Sequence, residues 1–315
     1  MPIITDVLRP YLVPTLNNIV DIPKLTFRGW VAKKSFRMTT PLQSKEFTLD
    51  VYSHEELLLP YAYDINRMAS SAFESMHGIV PEESLPKSTG WLIIRSYYSA
   101  YFAMHAILRL FGISCSQFDV HESRAITDVA RMYSLQNGNT ASNGYYCCQY
   151  NHDDATIICK QLNNTHQDVW KTFYDLLDKL ATKITTSDFL KKDRDSVIDF
   201  IFQLRNGLSC RGTVNGGNWL SKIRNEVNYT HSMGAWFPYS NSADEHEAMF
   251  RLISNWKLSL SSNVMVNNFN RCDQLFFVST CVTIVSLCHE LLIDLQSINQ
   301  EVFLKYGAIR LINQI

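Results

Sequence analysis

Between Asn218 and His231 the chain reads NWLSKIRNEVNYTH, and this stretch holds the side chains best suited to chemistry. Its apolar residues Leu220, Ile223 and Val227 recur at i, i+3 and i+7, the spacing of one helix face, with Gly216 and Gly217 ahead of it and Asn218 placed to cap it. On a continuous α-helix, Arg224 and His231 return to within about 20° of each other, two turns along the same side. Arg224, Asn225, Asn228 and His231 then form one polar surface. A guanidinium grips a phosphate through two donors without losing its charge, and an imidazole moves a proton near neutral pH. Together they suit phosphodiester cleavage without a metal, provided the substrate brings its own nucleophile, as RNA does with the 2′-OH. In that reading His231 transfers the proton, Arg224 stabilises the phosphate, Asn225 orients one of them, and Asn228 and Lys222 help to bind the substrate. The plainer reading is a solvated helix face.

Other residues invite weighing. Arg95 sits mid-way along an aromatic stretch with Tyr98 at i+3 and Phe102 at i+7, so it either meets a carboxylate or points into a wet cleft and binds substrate. Tyr229 and Trp236 either stack on a base or pack in the core. Basic residues outnumber acidic ones between Lys183 and Arg224, which gives a neutral protein one local patch for phosphate. Cys147, Cys148, His152, Cys159 and His166 suggest zinc, but their spacings fit no common finger or ribbon, and no metal site is expected. No Walker loop, GxSxG elbow or HExxH motif occurs, so an ATPase, serine hydrolase or zincin has no visible site.

The elements that must position these residues are mainly helical. The segment 89–111 is apolar or aromatic on most faces, with Gly112 just beyond it, and predicts a central buried helix. Further helices are expected near 119–134, 153–163, 166–185, 187–206, 218–232, 243–260, 270–298 and 300–314. Residues 134–152 lack periodicity and read as a loop insertion. Residues 1–85, broken by Pro2, Pro10, Pro14, Pro23, Pro41 and Pro60, read as an N-terminal extension containing some β structure. In it KEFTLDVY alternates Phe47, Leu49 and Val51 against polar neighbours, so one face can pack on or flank the bundle.

Arg224, Asn225 and His231 match the Arg-polar-x(3 to 5)-His signature of the HEPN superfamily, and WLIIRSYYSAYFAMHAILRLFG resembles the first long helix of such domains. The resemblance covers roughly 86–300. It implies a HEPN-like helical bundle at 86–315 acting as a metal-independent endoribonuclease without a cofactor, dimerising so that two motifs share one RNA-cleaving cleft. It also implies a toxin or antiviral-defence effector with an antitoxin or defence-complex partner, or else a catalytically inactive adaptor or sensing subunit. Trp219, Leu220 and Trp236 are the apolar residues expected to pack such a dimer. Outside the family, the alternative is a helical protein that binds a small molecule in its core.

Composition bounds these readings. With 315 residues, 46% hydrophobic and only 12 Gly and 9 Pro, the chain has material for a large core and is not disordered or collagenous. A net charge of -1 excludes coating nucleic acid or membranes by bulk positive charge. The N-terminal segment has neither a basic start nor an unbroken apolar run, so no signal peptide is expected and the cytoplasm is the expected location. The cysteine pattern favours reduced thiols over a disulfide framework. Leu275 to Leu295 is strongly apolar, but His289 and Glu290 interrupt it after about fourteen residues, short of the roughly 18 to 20 a membrane span needs. A core helix, with no membrane, is the expectation.

Overall fold

The computed structural model describes residues 3–79, 87–231, 233–237, 245–258, 260 and 273–314. In chain order the helices are α1 (Ile3–Leu8), α2 (Phe27–Ala32), α3 (His54–His77), α4 (Gly90–Leu110), α5 (Val120–Met132), α6 (Gln167–Thr185), α7 (Lys191–Leu208), α8 (Trp219–Asn225), α9 (His246–Ser254), α10 (Gln274–Ile298) and α11 (Ala308–Gln314). The strands are β1 (Phe36–Arg37), β2 (Glu46–Val51), β3 (Ile113–Phe118), β4 (Gly144–Asn151) and β5 (Thr156–Leu162). The fold is mainly α with a small antiparallel sheet, ordered β1-β2-β5-β4-β3.

The bundle is built on α3, α4 and α10. Ser53 caps α3 by accepting from the Glu56 amide, and Leu58, Ala62, Ile65, Ala69, Ala72, Phe73 and Met76 then form the stripe that enters the main core. On the facing helix, Ser96, Ser99, Ala100 and Ala103 are small, which lets the two backbones approach; the Ser99 hydroxyl donates to the Ala72 carbonyl at 2.6 Å. The long helix α10 is buried on nearly all sides. It meets α7 at Gly207, where a Cβ would lie 2.6 Å from Thr280 Oγ1, so only glycine permits that crossing. α10 alone among the described residues is long and apolar enough to cross a membrane, and 83% of its most apolar window is buried inside the fold.

Several expectations are corrected. The segment 153–163, expected as a helix, is strand β5, and the expected loop at 134–152 contains β4; together they form a hairpin. Its turn is set by Asn151, whose side-chain oxygen accepts from the amide of Asp153 at 3.0 Å, and by Ala155 in the left-handed region. A short apolar run such as TIICKQL has no period that separates strand from helix, and pairing with β2 and β4 decides it. Within 1–85, β2 pairs with β5 in the same sheet, and α3 runs through Pro60 as a full bundle helix. The sheet and the helices α2 and α5 enclose a second core that includes Trp30, Phe47, Tyr61, Phe118, Ile126 and Tyr146. Not every thiol is reduced: Cys210 is disulfide-bonded, whereas Cys115, Cys147, Cys148, Cys159, Cys281 and Cys288 are free and buried.

Candidate functional site

The chain enters α8 through a 3-10 turn at Asn215–Gly217, where Gly217 takes φ 68° and a Cβ would lie 2.5 Å from Tyr174. The apolar face of α8 does what its spacing predicts: Leu220, Ile223 and Val227 are buried. Trp219 joins them, packed against Phe276 and Phe277 at 5.4 and 5.8 Å. Trp219 and Leu220 therefore belong to the subunit's own core and are not available for a dimer contact, which corrects that expectation.

The helix does not continue in α-helical phase to His231. Glu226–Thr230 is a π-helical turn, and His231 ends it in the left-handed region at φ 52°. A wider i→i+5 turn rotates the chain less per residue, so the same-side placement computed for an unbroken α-helix is lost. His231 is exposed and its ring lies 6.0 Å from Trp236, which donates from Nε1 to the Val227 carbonyl at 2.7 Å and packs over Gly90 and Trp91. Arg224 instead lies against Tyr97 and Tyr98. Those positions are separated by two turns of α4, about 10 Å at 1.5 Å per residue. Arg224 and His231 share no hydrogen bond or ring contact among the described residues.

What the fold gathers around Arg224 is an aromatic cradle. The half-buried guanidinium lies 5.8, 5.4 and 5.6 Å from the ring centres of Tyr97, Tyr98 and Tyr229. Nη1 donates to Asn225 Oδ1 at 2.8 Å, Nη2 donates to the Tyr98 hydroxyl, and Nε is buried without a hydrogen-bond partner. Behind it, the Tyr97 hydroxyl accepts from Trp170 Nε1 at 3.0 Å and lies 2.9 Å from His166 Nδ1. With Trp170 donating to it, the Tyr97 hydroxyl is placed to donate to His166 Nδ1, the arrangement in which the imidazole carries its proton on Nε2. Burial, reinforced by the nearby Arg224 charge, lowers the His166 pKa and keeps the ring neutral at pH 7. Burial also pushes the Tyr97 hydroxyl up, so it stays protonated.

Asn225 and Lys222 line a shared open depression of about 420 Å³ with Gln167, Asn218, Glu226, Tyr229 and Thr230. Asn228 is half-buried and does not line it. Arg95 is exposed and turned elsewhere: its guanidinium nitrogen lies 3.0 Å from where a Cβ on Gly78 would sit, at the end of α3. Part of the expected basic patch is tied to the fold, since Arg205 pairs with Asp178 at 2.7 Å and Arg194 donates to the Ser187 carbonyl.

Sequence reasoning missed His166, Tyr97 and Trp170 as neighbours of Arg224. The adjacent tyrosines of α4 were the only signal, since His166 comes from a helix start with no motif around it. The zinc set does not assemble: as successive strand residues, Cys147 faces the bundle core and Cys148 the second core. Among the described residues no three His, Cys, Asp or Glu side chains converge as a metal site. No family model, curated protein or solved structure matches the chain.

Proposed function

We propose that this chain is a HEPN-type, metal-independent endoribonuclease that cuts RNA through the 2′-OH and works as a homodimer. The observation that carries the reading is the cradle of Arg224. A guanidinium fixed by Tyr98, Asn225 and three aromatic rings is pre-organised for a phosphate, so its charge is in position before substrate arrives. Lys222 and Asn225, which line the depression beside this cradle, add phosphate and base contacts. The Nε2–H of His166 is a neutral donor for a phosphate oxygen close to Arg224.

Proton transfer falls to His231, which is exposed beside Trp236 and makes no hydrogen bond or ring contact with Arg224 among the described residues. A two-fold partner brings its own His231 to this phosphate without new sequence. With Trp219 and Leu220 committed to the core, the apolar contacts for that partner come from the exposed rings beside the motif, Trp91, Tyr229 and Phe237. A role as a toxin or antiviral-defence effector in the cytoplasm, restrained by an antitoxin or defence-complex partner, accords with such an activity.

Mixing two inactive chains tests this. Arg224→Ala and His231→Ala homodimers should each be inactive, while their equilibrated mixture should recover about a quarter of wild-type cleavage, because half the dimers are mixed and each has one intact composite site. If the mixture stays inactive and His166→Ala rather than His231→Ala abolishes cleavage, His166 carries the chemistry within one subunit. A second reading, the non-catalytic HEPN-like adaptor, is favoured by the engagement of both Arg224 terminal nitrogens with the chain's own Asn225 and Tyr98. Dimerisation and RNA binding without cleavage would establish it.

A further inference from the structure

Two pairs of cysteines stand directly opposite each other in the sheet: Cys115 with Cys147 across β3 and β4, and Cys148 with Cys159 across β4 and β5. The hydrogen-bond phase of β3 and β4 is fixed at their end, where Tyr150 N donates to the Gly112 carbonyl at 2.8 Å. Counting inward from that hydrogen-bonded pair, positions alternate, so Cys115 and Cys147 form a non-hydrogen-bonded pair. Such pairs have Cα atoms about 4.5 Å apart with side chains on one face. That distance falls inside the range of about 4.4 to 6.8 Å that a disulfide requires, at its short end. The residues can therefore be joined without moving the strands.

The two pairs differ in what surrounds them. Cys148 and Cys159 are 0% exposed inside the second core. Cys147 instead lines a groove of about 630 Å³ between β4, β5 and α6, beside Thr172 and Lys179, and is 9% exposed. Cys115 lies beneath it at 2% exposure, directly opposite it in the sheet. The neighbouring Cys115 and Thr172 side chains and the Lys179 charge lower the Cys147 pKa, while burial and the Asp175 charge oppose them. The neighbouring Cys147 thiol and burial hold Cys115 as the thiol.

We propose that Cys147 is a peroxide-reactive thiol and Cys115 its resolving partner, the two closing a reversible cross-strand disulfide. The Cys147 thiolate attacks one peroxide oxygen, the O–O bond breaks, and water leaves with a proton, giving a sulfenic acid. The Cys115 sulfur then attacks the Cys147 sulfur, the S–OH bond breaks, and a second water leaves as the S–S bond forms. Overall two thiols are oxidised and one hydrogen peroxide is reduced to two waters. A reducing dithiol reverses the exchange. The pair adjoins the cluster around Arg224: Tyr145 donates to the Cys115 carbonyl at 3.2 Å, and Cys115 and Cys147 share the main core with Tyr97 and Trp170.

The test uses the full chain, treated with graded hydrogen peroxide, alkylated after denaturation and mapped by mass spectrometry. The expected product is a dithiothreitol-sensitive link between the peptides carrying Cys115 and Cys147, while Cys148 and Cys159 remain fully alkylated. Cys115→Ser should leave a Cys147 sulfenic acid that dimedone traps, and Cys147→Ser should slow the loss of Cys115 thiol by at least about tenfold. Wild-type mapping needs no variant to fold. Full alkylation of Cys115 and Cys147 at peroxide doses that oxidise exposed methionine would overturn the proposal, and so would a link between Cys148 and Cys159 formed first.

Discussion

Arg224→Ala is expected to lower RNA cleavage by about 10²–10³-fold, the loss of roughly 2.7–4 kcal/mol that follows removal of one pre-organised charge donor. The loss should appear in kcat, because charge on the phosphate grows toward the transition state, while RNA binding weakens only slightly. Stability should fall by no more than about 1 kcal/mol, since the side chain is half-buried at the surface of the bundle and the cation–π contacts it gives up, at 5.4 to 5.8 Å, are weak. Arg224→Lys separates charge from geometry. An ammonium keeps the charge but lacks the planar fork that holds Tyr98 and Asn225 at once, so most of the loss should persist. Single-turnover kinetics with a thermal melt of each variant measure both quantities, and near wild-type kcat in Arg224→Ala would remove Arg224 from the site.

The second large effect lies in the frame. Asp64→Ala is expected to destabilise the fold by about 3–5 kcal/mol, because it strands a buried positive charge. Asp64 and Arg109 side chains are each 3% exposed and lie 3.5 Å apart, joining α3 to α4. The same carboxylate accepts from the Phe27 amide at 3.1 Å at the start of α2 and from Arg67 at 3.0 Å. One residue therefore ties three helices together. His105 cannot replace the lost charge: it is buried beside Arg109, and both burial and that positive neighbour push its pKa well below the ordinary value. Asp64→Ala combined with Arg109→Met should recover part of the loss, because no uncompensated charge then remains. Urea unfolding of the single and double variants reads this; equal stability of Asp64→Ala and wild type would show that the pair is not a structural tie.

How far the sequence announced this arrangement differs from element to element. The helices α4, α6, α7 and α10 were legible because each repeats apolar residues at helical spacing over four turns or more. Helix α3 has the same stripe, but Pro60 in its second turn reads as punctuation; its missing amide costs one backbone bond, and burial of Leu57, Leu58, Tyr61 and Ile65 outweighs it. The β4 and β5 hairpin was not legible, since GYYCCQYN and TIICKQL are short and are fixed as strands by pairing with each other and with β3 and β2.

At the site, the polarity of Arg224 and Asn225 on a helix with a buried opposite face followed from spacing alone. The separation of His231 from Arg224 did not, because a π turn shifts the phase of a helix without leaving a mark in composition. Nor did the approach of His166, which depends on how α6 packs against α4 through Trp170 and Tyr97.

The most direct measurement is cleavage of a defined RNA by the purified chain in EDTA, repeated with a single 2′-deoxy nucleotide at the mapped cut. The account predicts cleavage that EDTA does not diminish, fragments ending in a 2′,3′-cyclic phosphate or its opened phosphate, and no cut at the deoxy position. Cleavage that requires a divalent cation, or that proceeds equally well through the deoxy position or on DNA, would contradict it, because the nucleophile would then be an external water and not the 2′-OH.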